Sequence, residues 1–181
     1  MKEIRLHGRG GQGAVTASEI LAHAAFIDGK SSQAFPSFGS ERKGAPVQAF
    51  ARISDARIRT RAQIVNPDFV IIQDPTLIGV VDCLFGLKED GLVIVASAKK
   101  PEELGLNTKA KIITVPAVEI ALEEIGRPIP NTVMIGAFAG ATGLISIESV
   151  EKAVHHKFSG EIGNKNAKAC RRAYEAAKGA R

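Results

Sequence analysis

Cysteine is scarce in this sequence. The two cysteines, Cys83 and Cys170, lie far apart, and no CxxC pair occurs. Iron–sulfur clusters and structural zinc sites draw on several closely spaced cysteines, so no such centre can be built from the cysteines of this chain. Two unpaired thiols are typical of a reducing compartment. Because Met1–Arg5 leads straight into a strand pattern without an apolar leader, we expect a cytoplasmic protein.

Long apolar runs and aromatic residues are also few. The longest apolar stretch, Val133 to Ile145, spans about a dozen residues and contains three glycines, whereas a membrane-spanning helix takes about 20 residues. One Tyr, eight Phe and no Trp predict an aliphatic core. The net charge of +5 is not accompanied by interleaved aromatics that could stack on nucleic-acid bases. We therefore expect no membrane and no nucleic-acid partner, and the charge favours a phosphorylated ligand or a protein partner.

What is present is an alternation of strand and helix patterns. The length of 181 residues suits a single α/β domain over residues 1–181. The pattern predicts strands over residues 3–7, 31–35, 47–53, 57–61, 69–73, 92–96 and 112–115. It predicts helices over residues 14–28, 77–87, 116–125, 132–144, 147–157 and 164–178.

The order of these elements predicts the fold class. A turn at Ser54-Asp55 makes the strands 47–53 and 57–61 a hairpin, which breaks the βαβ rhythm and predicts a mixed sheet. The near-continuous apolar run 69–73 is typical of a strand at the sheet centre. We expect a three-layer α/β/α, Rossmann-like domain with a mixed, mostly parallel sheet and a helical C-terminal third.

The first strand runs directly into the loop Gly8-Arg9-Gly10-Gly11-Gln12-Gly13, and a helix pattern follows. Three of its glycines satisfy G-x-G-x-x-G, in which glycine lets a phosphate approach backbone amides at a helix N-terminus. A dinucleotide site also takes a carboxylate about 20 residues further on, at the end of the second strand, but residues 31–35 contain none. A tight turn packed against an alanine-rich helix is another reason for glycine here. Arg9 and Gln12 favour a ligand-binding or subunit-facing loop, because a purely structural turn needs neither.

Four segments carry a recognisable pattern in order along the chain. They are Leu6-His7 followed by GRGGQGAVTASEIL, Gln33-Ala34-Phe35-Pro36 leading to Ser40-Glu41-Arg42-Lys43-Gly44-Ala45-Pro46-Val47, Pro67-Asp68 before the strand that ends at Asp74, and Ile129-Pro130-Asn131-Thr132 before a Gly/Ala-rich helix. Together they resemble the γ subunit of pyruvate and related 2-oxoacid:ferredoxin oxidoreductases over at least residues 4–144. The GRGGQG and ERKGAPV forms are more similar to the pyruvate branch than to the others.

The resemblance implies a subunit of an enzyme that converts a 2-oxoacid and coenzyme A into an acyl-CoA and carbon dioxide and reduces ferredoxin. It implies that thiamine diphosphate and 4Fe–4S clusters are held by the α-, β- and δ-type subunits. This chain would then bind no cofactor tightly, hold no metal and supply no catalytic residue. Its glycine loop, from Gly8 to Gly13, would face the shared active site or the phosphates of coenzyme A, and Glu41, Arg42 and Lys43 would lie at a subunit interface. Two alternatives stay open: a free-standing NAD(P)- or flavin-binding oxidoreductase, and a purely structural scaffold subunit.

Other patterns allow two interpretations each. Arg57, Arg59 and Arg61 share one face of a predicted strand, where they either discourage sheet-to-sheet pairing or bind an acidic partner. Gly136 and Gly140 predict tight helix packing, inside the subunit or at an interface. The C-terminal helix pattern carries a basic surface that is either a solvated face or a docking site. It comprises Lys165, Lys168, Arg171, Arg172 and Lys178.

Overall fold

The computed structural model describes residues 1–37 and 43–179. Its strands are β1 (Lys2–Arg9), β2 (Ser31–Pro36), β3 (Pro46–Ser54), β4 (Phe69–Ile72), β5 (Leu92–Ala96) and β6 (Lys111–Val115). Its α-helices are α1 (Ala14–Ile27), α2 (Ala117–Ile125), α3 (Asn131–Thr142), α4 (Ile147–Lys157) and α5 (Gly160–Lys178). Short 3₁₀ helices, Pro75–Leu77 and Pro101–Leu104, follow β4 and β5. Within these ranges, no helix combines the length and apolarity needed to cross a membrane.

The strands form one six-stranded sheet in the order β2-β3-β1-β4-β5-β6. From β1 through β4 and β5 to β6 the neighbours are parallel, whereas β3 is antiparallel to both β1 and β2. The predicted α/β class, with its mixed sheet and helical C-terminal third, is confirmed. Since β1 and β4 are adjacent and parallel, with His7 opposite Ile72, the residues that follow both strands meet at one edge of the sheet.

The two faces of the sheet are covered differently. Ile4 and Leu6 belong to the large core, to which all five α-helices contribute. The alternation of side chains along β1 places Arg5 and His7 on the opposite face. There a smaller core packs β4 and β5 residues against a loop segment that includes Leu77.

The predicted helix over residues 77–87 is wrong. The segment begins with a single 3₁₀ turn and then turns at Gly79 and Gly86, whose φ angles are 84° and 68°. Such angles lie in the left-handed region, which a right-handed helix does not contain. The sheet face away from the α-helices is therefore covered in this region by turns.

A buried arginine anchors this segment. Arg5, which is 3% exposed, donates hydrogen bonds to the carbonyl oxygens of Cys83 (3.1 Å) and Phe85 (2.5 Å). Its Nε donates to Nε2 of His7 at 3.0 Å. Burial, reinforced by the positive charge of Arg5, lowers the pKa of His7 to about 3. His7 therefore stays neutral and can accept this hydrogen bond at neutral pH.

The predicted strand over residues 57–61 is also wrong. Both edges of β3 are already occupied, one by β1 and the other by β2, so the chain that leaves β3 has no free edge of it to pair with. The segment is held instead by single hydrogen bonds: the N–H of Ile58 donates to Oγ of Ser31 at 3.2 Å. The sequence pattern predicted residues 57–61 as the antiparallel neighbour of β3. In the structure β3 has two antiparallel neighbours, β1 and β2.

Gly136 and Gly140 place α3 directly against α5. A Cβ atom at Gly136 would overlap the carbonyl oxygen of Cys170, and one at Gly140 would overlap that of Tyr174. The thiol of Cys170 is fully buried at this contact and donates to the carbonyl of Thr132 at 3.1 Å. The small-residue pattern thus serves helix packing inside the subunit.

Asp28, directly after α1, caps the start of α4. Its Oδ1 accepts from the hydroxyls of Ser146 (2.7 Å) and Ser149 (2.6 Å), and its Oδ2 accepts from the N–H of Ser146 (2.7 Å). Burial alone would raise the pKa of Asp28, but these hydrogen bonds and the charge of Lys30 outweigh it and lower the pKa. The carboxylate therefore stabilises the fold above about pH 4, and this contribution is lost as the pH falls through the folded-state pKa.

We expect Asp28→Asn to lower the free energy of unfolding by about 1 kcal/mol at pH 7. The variant should also lose less stability than the wild type between about pH 5 and pH 3. Urea denaturation at several pH values measures both effects. The exposed Asp55 supplies the control, since Asp55→Asn should change the free energy of unfolding at pH 7 by less than about 0.5 kcal/mol. Parallel profiles for wild type and Asp28→Asn would contradict the assignment.

Candidate functional site

The loop between β1 and α1 has a shape that depends on glycine. Gly11 and Gly13 have φ angles of 93° and 74°, in the region that residues with a Cβ rarely adopt. A Cβ at Gly13 would overlap the side-chain amide of Asn131, the first residue of α3. A Cβ at Gly8 would lie 2.9 Å from Oε1 of Gln73. A Cβ at Gly8 or Gly13 would therefore require the side chain of Gln73 or Asn131 to move.

Gln12 fastens the loop to the carboxyl edge of the sheet. Its Oε1 accepts from the N–H of Arg9 at 2.8 Å, and its Nε2 donates to Oδ2 of Asp74 at 2.8 Å. Its own N–H donates to the carbonyl of Arg9 at 2.9 Å. An amide side chain suits this position because it must accept at one end and donate at the other.

Arg9 belongs to the same network but keeps part of its side chain at the surface. Its Nε lies 3.2 Å from Oδ2 of Asp74, its Nη2 donates to Oγ1 of Thr76 at 2.8 Å, and its Nη1 donates to the carbonyl of Gly44 at 3.1 Å. The side chain remains 27% exposed. The positive charge is thus held in position at the mouth of the loop.

Asp74 is the carboxylate of this network. Thr76 donates its N–H (2.9 Å) and its hydroxyl (2.6 Å) to Oδ1. Burial alone would raise the pKa of Asp74, but the hydrogen bonds from Thr76 and Gln12 and the charge of Arg9 outweigh it and lower the pKa. Asp74 is therefore ionised at neutral pH, a state suited to holding Arg9 and not to donating a proton.

Backbone N–H groups line the other side of the loop. Those of Gly11 and of residues 13–16 have no acceptor within the described ranges. Helix α1 has neither a side-chain cap nor an acidic residue in its first turn, so the partial positive charge of its N-terminus is not neutralised there. A cleft of about 270 Å³ lies in front of these groups, lined by residues 9–11 and 13–16 and by Val47. Amides, a helix N-terminus and a guanidinium group together bind anionic oxygen atoms.

One of the three predicted interface residues lies beside this loop. Lys43 is exposed and forms an isolated bridge with Gly10, and the N–H of Gly44 donates to the carbonyl of Gly10 at 3.0 Å. Glu41 and Arg42 lie outside the described residues. The structure therefore brings Lys43 together with the glycine loop, which the sequence did not predict.

The sheet order argues against the dinucleotide interpretation. In dinucleotide-binding folds the strand after the first helix lies next to β1 and ends at the carboxylate that binds the ribose. Here β3 lies between β1 and β2, with Pro46 opposite Arg9. β2 is therefore displaced by one strand from the glycine loop, and it contains no acidic residue.

The two cysteines are unsuited to nucleophilic catalysis at neutral pH. Burial raises the pKa of Cys83 to about 11 and that of Cys170 to about 12, so both thiols stay protonated and are weak nucleophiles. Within residues 1–37 and 43–179, no three metal-binding side chains lie together. The described site consists of backbone N–H groups beside a guanidinium group that Asp74 holds in position.

Fold and loop together define a Rossmann-like α/β protein with a glycine-rich loop at the N-terminus of its first helix. Residues 3–176 match the family model described as pyruvate ferredoxin/flavodoxin oxidoreductase. The chain is 60% identical over 175 residues to pyruvate synthase subunit PorC of Methanothermobacter marburgensis, covering 97% of each chain. It is 58% identical over 178 residues to the common subunit gamma of the pyruvate/ketoisovalerate oxidoreductases of Pyrococcus abyssi, covering 97% of this chain and 96% of that one. The chain therefore belongs to the pyruvate ferredoxin/flavodoxin oxidoreductase family, and the resemblance drawn from the four segments is confirmed.

Solved structures agree with this assignment. The crystal structure of pyruvate oxidoreductase subunit PORC from Thermotoga maritima is 43% identical with a TM-score of 0.85, covering 96% of this chain and 95% of that one. The 2-oxoglutarate:ferredoxin oxidoreductase of Magnetococcus marinus is 20% identical with a TM-score of 0.77 and shares the fold. This chain spans 31% of that longer chain, so the same fold also occurs as one part of a larger polypeptide.

Sequence reasoning missed two residues of the site. Thr76 binds both Arg9 and Asp74, and Asn131 closes the space behind Gly13. The Asp-Pro-Thr sequence that starts at Asp74 is a signal for the first, since an Asp that accepts from a backbone N–H two residues later is a common turn. No local signal reveals the second, because its partner lies on another element.

Proposed function

We propose that the chain is the γ subunit of a 2-oxoacid:ferredoxin oxidoreductase, with pyruvate the favoured 2-oxoacid. The match over residues 3–176 and the full-length likeness to relatives named as PorC and gamma subunits support this. The assembly would also contain α-, β- and δ-type subunits and would pass electrons to ferredoxin in the cytoplasm. One γ-type domain would span residues 1–181.

The complete enzyme would make an acyl-CoA and carbon dioxide from a 2-oxoacid and coenzyme A. Thiamine diphosphate supplies the carbanion chemistry and 4Fe–4S clusters carry the electrons, both bound by the other subunits. The contribution of this chain would be to bind and to orient. That division of labour fits a site whose carboxylate, Asp74, is tied to Arg9.

The glycine loop would contact the phosphates of coenzyme A at the shared active-site region. The observation that carries this proposal is that the N–H groups of residues 13–16, which have no acceptor among the described residues, and the guanidinium of Arg9 meet at one cleft. Coenzyme A is a polyanion, and amides at a helix N-terminus bind phosphate oxygens without needing a base or a metal. Lys43, beside Gly10, would add charge at the same surface.

Arg9→Gln should raise the KM for coenzyme A of the reconstituted complex about threefold to tenfold. A charge-assisted contact at a partly exposed site is worth about 1 kcal/mol, which corresponds to this range. The KM for the 2-oxoacid should not change, since the loop is assigned to the other substrate. Steady-state kinetics of ferredoxin reduction, with each substrate varied in turn, measure both constants.

Thr76→Val supplies the control, because it removes a hydrogen-bond partner of Arg9 and keeps the cation. It should change the KM for coenzyme A by less than about twofold. Equal increases in both variants would show that Arg9 only positions the loop. An unchanged constant in Arg9→Gln, with the assembly intact, would leave the loop a purely structural role, which its ties to Asp74 and Gly44 would then explain.

The rival function makes a different prediction for the isolated chain. A free-standing oxidoreductase should bind NADH, NADPH, FAD or FMN with submicromolar affinity, whereas we expect no tight complex with any of them. The position of β3 between β1 and β2 is the reason. Fluorescence titration of the purified chain decides between the two.

A further inference from the structure

A second basic surface follows β3. Arg57, Arg59 and Arg61 are all exposed, while Ile58 and Thr60 between them are half-buried. The three arginines, at alternate positions of one short segment, therefore all have their side chains exposed to solvent.

A buried cation fixes the backbone of this stretch. Nη2 of Arg52 donates to the carbonyl of Ala62 at 2.6 Å. Arg52 is 2% exposed, pairs with Oε1 of Glu3 at 2.8 Å, and has its guanidinium carbon 5.2 Å from the centre of the Phe35 ring. The hydrogen bond from Ile58 to Ser31 fixes the other end. The backbone that carries the three exposed arginines is therefore fixed at both ends.

These arginines differ in their ion pairing from the basic residues of α5. Across the part of the protein that the structure describes, no carboxylate lies within salt-bridge distance of any of them. Four of the five cations of α5 are paired, namely Lys165 with Glu161 (2.8 Å), Lys168 with Glu124 (2.8 Å), Arg171 with Glu151 (2.6 Å) and Arg172 with Glu124 (3.2 Å). The α5 surface is thus largely compensated, whereas the three arginines of residues 57–61 have no counter-charge among the described residues.

A cleft of about 530 Å³ opens beside Arg61. Its described lining consists of Arg61 and of Gln33, Ala34 and Phe35 of β2. β2 is an edge strand whose strand neighbour is β3. Gln33 lies opposite Arg52 in the register, and Oε1 of Gln33 and Nη1 of Arg52 are both buried without a hydrogen-bond partner in the described protein. An edge strand beside an open cleft, with unsatisfied polar atoms behind it, is a surface on which an extended polypeptide can lie.

We propose that this surface, the arginine face, binds an extended acidic segment of a partner polypeptide. It consists of Gln33, Phe35, Arg57, Arg59 and Arg61. Several carboxylates close together along the partner would face the three arginines, and charge complementarity of this kind speeds encounter and selects the partner. A base-stacking ligand fits less well, because the aromatic ring of the face, Phe35, is half-buried under Arg52. This inference does not depend on the function proposed for the glycine loop.

The test titrates the full chain with a fluorescent peptide of alternating Glu and Thr, about ten residues long, and follows anisotropy at low and at physiological salt. The variant R57Q/R59Q/R61Q removes three charges from the arginine face. Its matched control, K165Q/K168Q/R172Q, removes the same charge from α5. We expect the first variant to weaken binding at least tenfold and the control to weaken it less than about threefold. All six side chains are exposed, so circular dichroism and melting curves should show that both variants fold.

Three results would overturn the proposal. Equal weakening of peptide binding by both variants would show that only the net charge of the chain matters. If the wild-type chain does not bind the peptide at low salt, an acidic partner segment is excluded. Tighter binding of a DNA duplex or of phosphatidylserine vesicles, lost in the same variant, would assign the face to another class of macromolecule.

Discussion

Replacing Gly136 by alanine should lower the free energy of unfolding by about 3 kcal/mol. The added Cβ would overlap the carbonyl oxygen of Cys170, and relieving that overlap requires α3 and α5 to move apart along their contact. On a solvent-exposed helix the same change stabilises by about 1 kcal/mol. A loss of stability would therefore report the close contact between α3 and α5, because the difference in helix propensity alone would have the opposite sign. Urea denaturation of the purified chain gives the value.

Gly179→Ala is the matched control. Gly179 ends α5 with a φ of −81°, and an added Cβ there meets nothing within 4 Å. We expect its free energy of unfolding to stay within about 0.5 kcal/mol of the wild type. A neutral or stabilising effect of Gly136→Ala would show that the backbones of α3 and α5 do not touch.

Arg52→Met should destabilise the chain by about 3 kcal/mol. Removing one partner of a buried ion pair leaves the other without its counter-charge, and here it also frees the carbonyl of Ala62 and the packing on Phe35. Methionine keeps the length of the side chain, so the loss reports mainly on charge and hydrogen bonds. Chemical denaturation of the variant gives the change.

Arg61→Gln tests the same surface without touching the buried pair. Its exposed side chain should contribute less than about 0.5 kcal/mol to stability. The double variant Glu3→Gln with Arg52→Met should recover part of the loss, because it removes the unpaired carboxylate as well. A loss below about 1 kcal/mol in Arg52→Met would mean that Arg52 does not hold the arginine face.

Strands and helices were predictable where the sequence pattern and the packing agree. β4 and β5 are apolar throughout and lie in the sheet interior, as a run without alternation predicts. α1 begins after Gly13 and ends before Gly29, with φ angles of 74° and 80°, and both boundaries follow from glycine. The relationship to a known family was also readable, because four separate segments carried it.

The two wrong elements share a cause. Most apolar residues from Leu77 to Leu87 pack against the sheet, although Val80 and Phe85 are exposed, and Gly79 and Gly86 turn the chain. Residues 57–61 do alternate between exposed and half-buried, but no strand edge was available to them. In both cases the local pattern did not decide the backbone conformation, which was set by glycine turns in the first segment and by the occupied edges of β3 in the second.

The candidate site was predictable only in part. The sequence of the loop indicates the roles of its glycines and of Arg9, and Asp74 follows a predicted strand. Gln12 connects Arg9 with Asp74 only because β1 and β4 are neighbours, and no local sequence pattern predicts that pairing. The insertion of β3 between β1 and β2 was equally out of reach, although it is the observation that separates this chain from a dinucleotide-binding domain.

The central claim is that this chain acts as one subunit of an oxidoreductase and supplies binding surfaces, while redox chemistry lies in its partners. The most direct measurement is the coenzyme A-dependent reduction of ferredoxin by the other purified subunits, with pyruvate, before and after this chain is added. We expect no turnover by this chain alone, little by the others alone, and full activity when they are combined. Turnover by the isolated chain, or a full rate from the other subunits without it, would show that the subunit assignment is wrong.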